Sequence, residues 1–499
     1  MLRTTGLLCF LAVVGLTGCG NDHSNASPTS SETTPMRGQL IGTPTLSGSY
    51  SPSDLLSQLT SDPLGKELLQ LSPTCTVSVY HMEYYTVGGA GESTTASAAL
   101  MVPTGSGNSC QGARPIVMYA HGTNTSKTFN MAAIAGNSEA LLMASVFASQ
   151  GYMVVAPNYA GYDTSTLTYH SHHIADQESK DMMDALAAAR KSFANLQHPV
   201  TDNGKLFLTG HSEGGYVTMA TLRAMQQAGI AVTAAAPSSG NYAESMGYEA
   251  LVSTPGALAG ISDVAPDDIL KYAMQFTAWQ KADGDLYQAP TEIYPAAYAP
   301  NMETIGPNDT PAATLVAQGR LPAFLLANDE PGYATLSPAR QAFFGSPDQS
   351  LIKTSFLQAA IADAAANPCP ATSTTEPLAC TPANPVRKAW HRNDLRTFTP
   401  TAPLLMCGGH GDTEVDFANA TLTYAYFQNH GAGATLLAPL DVDSATTAGD
   451  PWASAKAAFV SARNAVIAVG GDPSSTDNYH SLAQAGCGVA ARDFFKTFQ

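Results

Sequence analysis

Apolar and polar positions change rhythm several times along this chain. Residues 76–87 and 94–102 alternate, the two-residue period of half-buried strands, with a Gly-rich turn between them. Residues 115–120 and 152–156 are short continuous apolar runs, the pattern of strands buried on both faces. Segments 137–150 and 177–194 instead space their apolar residues along one helical face. A strand at 205–209, a helix at 214–228 and a strand at 230–236 follow. Buried strands alternating with helices predict a mostly parallel sheet with helices on both sides, joined by right-handed crossovers. The rhythm stops at 242. Residues 242–398 are rich in Pro, Tyr and Ala and mainly helical, as at 267–281 and 350–366. It resumes with a strand at 402–407, a helix at 416–429, a last strand at 434–438, an extra helix at 452–469 and a closing helix at 484–498. One α/β core in two parts, 50–241 and 399–499, is expected around a domain-sized insertion.

Composition narrows the function. Of 499 residues, 44% are hydrophobic and 13% charged, which allows a large core and excludes a disordered chain. Lys plus Arg number 23 against 40 Asp plus Glu, a net charge of −17, which argues against nucleic-acid binding. No fixed repeat is present, so solenoids are excluded.

The N-terminus reads as an address. Arg3 precedes an apolar run, 6–16, too short to span a bilayer. Leu16-Thr17-Gly18-Cys19 then resembles the lipobox of bacterial lipoproteins. That resemblance implies a signal peptide at 1–18, lipidation of Cys19 and anchoring to a bacterial membrane. Gly20 favours the outer membrane, with the protein facing the periplasm or cell surface. Residues 19–49, rich in Ser, Thr, Pro and Asn, are expected to be a flexible tether. Six further cysteines suit an oxidising compartment. Fifteen pairings are possible. The expected one is Cys75 with Cys110, Cys369 with Cys380, and Cys407 with Cys487.

The chemistry centres on Gly210-His211-Ser212-Glu213-Gly214-Gly215. The motif directly follows a predicted strand and precedes a helix, so Ser212 stands on a sharp turn at the sheet edge. Small residues two before and two after let strand and helix approach closely. In this setting the chain resembles the α/β-hydrolase superfamily, most nearly its secreted lipase- and esterase-like serine hydrolases. The resemblance covers both core parts and implies a Ser-acid-His order along the chain. The acid is expected after the strand that follows the insertion. There Gly408-Gly409-His410-Gly411-Asp412 points to Asp412, with Asp416 and Glu414 as alternatives. His480, between the last strand and the final helix, is the expected base. It lies about 40 residues past that strand, where the family often has about ten. The oxyanion hole is expected from the N–H of Glu213 and an N–H in His121-Gly122-Thr123-Asn124, with Thr123 chosen and Gly122 close behind. The implied reaction is ester hydrolysis through an acyl-enzyme on Ser212, on a small-molecule or lipid ester, with no metal or organic cofactor required.

Other features carry less weight. His170-Ser171-His172-His173 reads as a loop at the sheet edge rather than a metal site. Residues 158–162 resemble the pocket-wall loop of secreted lipases. Gly105-Ser106-Gly107 lacks a dinucleotide fingerprint. The insertion's aromatics, Tyr272, Phe276, Trp279, Tyr287, Tyr294 and Tyr298, either pack the cap or line a pocket. Its acids, Glu244, Asp263, Asp267 and Asp268, leave open a prolyl-type peptidase, whose cap would hold a substrate amine. A non-catalytic surface-binding lipoprotein is the alternative from another class.

Overall fold

Eleven strands and the helices between them organise the computed structural model, which describes residues 36–61, 72–196, 198–253 and 264–499. The expected signal peptide, Cys19 and most of the expected tether lie outside the described residues. The strands are β1 (Leu40–Tyr50), β2 (Thr76–Val87), β3 (Ser93–Thr104), β4 (Gly112–Ala120), β5 (Met153–Pro157), β6 (Val200–His211) and β7 (Ala234–Ser238). Two-residue strands complete the set: β8 (Leu326–Ala327), β9 (Phe344–Gly345), β10 (Cys407–Gly408) and β11 (Leu440–Asp441).

Nine of them form one sheet in the order β1-β2-β3-β5-β4-β6-β7-β10-β11. Pairing is antiparallel from β1 through β3 to β5 and parallel from β5 to β11. The chain crosses over between β4 and β5, and the parallel strands carry their C-terminal ends to one edge. Ligand sites in open α/β sheets gather at that edge. Strand periodicity separates two cores. Met118 and Leu208 face one cluster with the helices Ala175–Asn195 and Glu213–Gln227. Val117 and Phe207 face the other, with Ser138–Val146, Ala453–Ala468 and Thr476–Lys496.

The insertion carries the helices Glu244–Ser253, Pro266–Asp283, Ala312–Ala317, Thr354–Ala366 and Pro385–Asn393, plus the parallel pair β8 and β9. Leu270 and Trp279 belong to the same apolar cluster as Met118 and Leu208, so the insertion is welded to the core on that face. Among the described residues, no helix is long and apolar enough to cross a membrane.

Three expectations need correction. The tether does not extend to residue 49, because Leu40–Tyr50 is an edge strand paired to β2. Only Pro44 in it is buried, so no alternating apolar signal marks it in the sequence. The last strand is not 434–438: Leu436 makes a single bridge to Leu404, and regular pairing comes at Leu440–Asp441. The final helix begins at Thr476, so His480 sits within it rather than in a loop before it. All three expected disulfides are present, Cys75–Cys110, Cys369–Cys380 and Cys407–Cys487. The third ties β10 to the helix that carries His480.

Candidate active site

Strand β6 ends at His211 and a helix starts at Glu213, which leaves Ser212 to make the whole turn. It does so at φ 60° and ψ −129°, a conformation that costs a non-glycine residue on the order of 1–3 kcal/mol. A Cβ on Gly214 would overlap the Ala120 carbonyl, and one on Gly210 would overlap the Gly214 carbonyl. Strand, turn and helix are therefore packed backbone to backbone, which explains the small residues on either side of the serine. The Ser212 N–H donates to Ser238 O at 3.0 Å and fixes the turn to β7.

His480 Nδ1 lies 2.7 Å from Asp412 Oδ2. The other oxygen, Asp412 Oδ1, accepts from the N–H groups of Glu414 and Val415 at 3.1 and 3.0 Å. His480 Nε2 is buried with no hydrogen-bond partner. The Nδ1–H therefore donates to Asp412, and Nε2 keeps a lone pair for a proton. Burial works against charge on His480, but the bond to Asp412 and that carboxylate's charge outweigh it and raise its pKa above the ordinary value. Burial likewise opposes charge on Asp412, yet its bond to His480 holds its pKa below the ordinary carboxylate value. The alternatives are engaged elsewhere: Asp416 accepts from Ala418 N–H at 2.8 Å, and Glu414 pairs with Lys271 at 3.0 Å.

His211, next to Ser212 in the chain, ties the turn to His480. Its Nε2 lies 3.0 Å from His480 O, and its Nδ1 lies 3.0 Å from Ser238 Oγ. Burial, with the charge of His480 beside it, pushes the His211 pKa down to about 3. It is therefore neutral and donates from Nε2 to the His480 carbonyl, while the Ser238 hydroxyl beside Nδ1 donates to Gly210 O at 3.0 Å. Ser212 Oγ makes no hydrogen bond to Nε2 in this conformation. Such catalytic bonds often tighten only when substrate arrives.

The Glu213 N–H opens a helix, where the first N–H groups have no intrahelical acceptor. Gly122 stands beside it, since a Cβ there would lie 3.5 Å from Ser212 Cβ. Its N–H, however, donates to Glu139 Oε1 at 3.0 Å, which removes Gly122 from the oxyanion donors. The Thr123 N–H has no acceptor among the described residues. Glu139 was missed in the sequence because an acid in a helix's first turn is read as a dipole partner. It also accepts from the Tyr119 hydroxyl at 2.5 Å and from Gln484 Nε2 at 3.0 Å, joining the 121–124 loop to the final helix.

The 170–173 run is not an open edge loop. All three histidines are buried, and His170 and His172 meet the carboxylate of Glu213, the residue after Ser212. His170, His172 and Glu213 have the donor set of a cation site. The other such group, Cys369, Cys380 and His391, has its two sulfurs joined in a disulfide. Among the cap aromatics, Tyr272, Phe276 and Trp279 line an apolar cavity, while Tyr287 and Tyr294 are packed in the core. The cavity holds about 590 Å³ of space between atoms, open solvent included, and no residue of Ser212, Asp412 or His480 lines it.

Solved structures superpose on this arrangement over most of its length. The rice cell wall degrading esterase LipA from Xanthomonas oryzae matches with a TM-score of 0.68 at 24% identity, covering 93% of this chain and 100% of that one. A Legionella pneumophila protein described as a hydrolase matches with a TM-score of 0.63 at 20% identity, covering 92% and 98%. The fold is that of the α/β-hydrolases. The model of the prolyl oligopeptidase family matches residues 139–251, the stretch around the nucleophile turn. No curated protein matches the sequence. Fold, family match and geometry together make this α/β-hydrolase a serine hydrolase.

Proposed function

We propose that the chain is a carboxylic-ester hydrolase. The observation that carries this reading is the buried Asp412–His480 pair with a free Nε2 beside the strained Ser212 turn. Ser212 Oγ attacks the ester carbonyl while His480 Nε2 takes its proton. Asp412 keeps the imidazole in the right tautomer and stabilises its charged form. The N–H groups of Glu213 and Thr123 receive the developing oxyanion. The protonated His480 gives its proton to the leaving alcohol, and water then enters by the same base to release the acid.

Two observations support an ester over a peptide. The cap cavity is apolar, suited to an acyl chain. The cap acids that would hold a substrate amine have internal partners instead. Glu244 meets His173 and Gln275, Asp267 meets Thr125, and Asp268 meets Lys271. Asp263 lies outside the described residues. The esterase name of the similar Xanthomonas protein points the same way. The peptidase reading keeps one support, the match to the prolyl oligopeptidase family. We further propose export and lipidation at Cys19, supported by the Leu16–Cys19 pattern and by three disulfides. In that case Cys19→Ser moves the protein from the membrane fraction to the soluble one.

The deciding experiment is turnover of p-nitrophenyl esters of graded acyl length and of proline amides by wild type and Ser212→Ala. Ester turnover lost in the variant is the expected result. Amide turnover without ester turnover would make the enzyme a peptidase. Inertness on both, with no labelling by an active-serine phosphonate, would leave a binding protein.

A further inference from the structure

The acyl-transfer steps leave the 170–173 histidines without a task, yet these side chains are buried against acids from three different helices. His170 Nε2 lies 2.5 Å from Glu213 Oε1 and 3.6 Å from Glu178 Oε1. His172 Nδ1 lies 2.9 Å from Glu213 Oε2. That last contact lacks the alignment of a hydrogen bond, and neither atom has another partner. Glu178 Oε2 is a third buried atom with none. The side chains of His170, Glu178 and Glu213 are fully shielded from solvent. One misaligned ion pair and one unpartnered carboxylate oxygen in the same dry place are uncommon in a native fold and call for an unseen partner.

Several partners fit a single orphan, but the donor chemistry here is selective. The donor atoms of His170, His172 and Glu213 all lie within 4.8 Å of one another. Two imidazoles with a carboxylate form the nitrogen–oxygen set that zinc takes at about 2.0–2.2 Å. Donors arranged tetrahedrally around such an ion stand about 3.3 Å apart. The His172–Glu213 separation of 2.9 Å is close to that value, and the His170–Glu213 contact of 2.5 Å has to open. His173 is held off by Glu244, at 3.1 Å, and forms an outer layer.

We propose that this cluster binds one divalent ion of the zinc class through His170 Nε2, His172 Nδ1 and the Glu213 carboxylate. All three donor residues are buried, so the ion is structural rather than a Lewis acid for substrate. It pins the side chain of the residue whose N–H faces the oxyanion, and it anchors the 158–178 segment to the nucleophile turn. Glu213 and the histidines are positioning residues in this scheme.

The test uses full-length protein purified without a metal-affinity step. Elemental analysis is expected to find about one zinc per chain. After chelation, cobalt is expected to give the visible bands of a four-coordinate nitrogen–oxygen site. Zinc is expected to raise the melting midpoint of the stripped protein by about 5 °C or more. His172→Gln is expected to lose the metal and the zinc-dependent midpoint shift, while His391→Gln, at the disulfide-bonded group, keeps both. Should His172→Gln fail to fold, X-ray absorption of the zinc-loaded wild type decides: two imidazole nitrogens support the proposal, and sulfur or an imidazole-free shell overturns it. Wild type with no bound metal and no midpoint shift on adding zinc overturns it as well, as does full zinc retention by a folded His172→Gln.

Discussion

A serine hydroxyl attacks an ester only when a neutral imidazole can take its proton. In the proposed mechanism Asp412 sets that condition. Because it raises the His480 pKa, activity is lost as pH falls through that raised value and levels off above it. Asp412→Asn is expected to lower kcat by about 10⁴-fold and to move the acid limb of the kcat/KM profile to lower pH. A limb that stays in place would show that Asp412 does not tune the base. Stability runs the other way. A raised folded pKa on His480 stabilises most below its unfolded value, and that contribution fades as pH rises through the folded pKa. The depressed pKa of Asp412 contributes above the ordinary carboxylate value and is lost as pH falls through the folded one. Glu139 is the second residue whose role is local. Glu139→Ala frees the Gly122 N–H, leaves the Tyr119 hydroxyl without its acceptor and leaves Gln484 with Tyr119 Oη alone. Steady-state kinetics are expected to show kcat down about tenfold with KM little changed, and Glu139→Gln largely restoring it.

At the scale of elements, the triad depends on keeping a short strand and a long helix in register. Asp412 follows β10, which is only Cys407–Gly408, and His480 lies on the helix Thr476–Lys496. The Cys407–Cys487 disulfide closes a loop of 80 residues between them. Chain-entropy reasoning gives such a closure about 4 kcal/mol. Cys487→Ala is expected to drop the melting midpoint by several degrees and to cost activity before it costs secondary structure, as followed by circular dichroism alongside ester turnover. Equal loss of both signals would mean that the bridge serves global stability alone. These elements also show where the sequence was legible. The strand before Ser212 and the helix after it stood out, because burial on both faces leaves an unbroken apolar run. Strand β1 did not, because an edge strand is held by backbone pairing, which leaves no side-chain pattern. The start of the last helix was missed because its first turns hold Asp477, Asn478 and Ser481, types that read as loop.

For the whole molecule, the insertion supplies an apolar cavity. Its cavity is walled by four cap helices and β8, with Ala360 in the wall. If acyl chains enter it, Ala360→Phe is expected to depress hydrolysis of long-chain esters while sparing acetate. Parallel loss on both would separate the cavity from acyl binding. The sequence by itself determined the layered sheet, the interruption at residue 242 and the turn at Ser212. Those features rest on local patterns of burial and backbone constraint, which neighbouring residues record directly. Only the tertiary structure decided that Asp412 rather than Asp416 meets His480, that Glu139 claims the Gly122 N–H, and that Glu213 turns its carboxylate toward the buried histidines. Each is a contact between residues 17 to 68 positions apart. Hydrogen-bond partners at that distance are chosen by packing, and packing leaves no periodic trace along the chain.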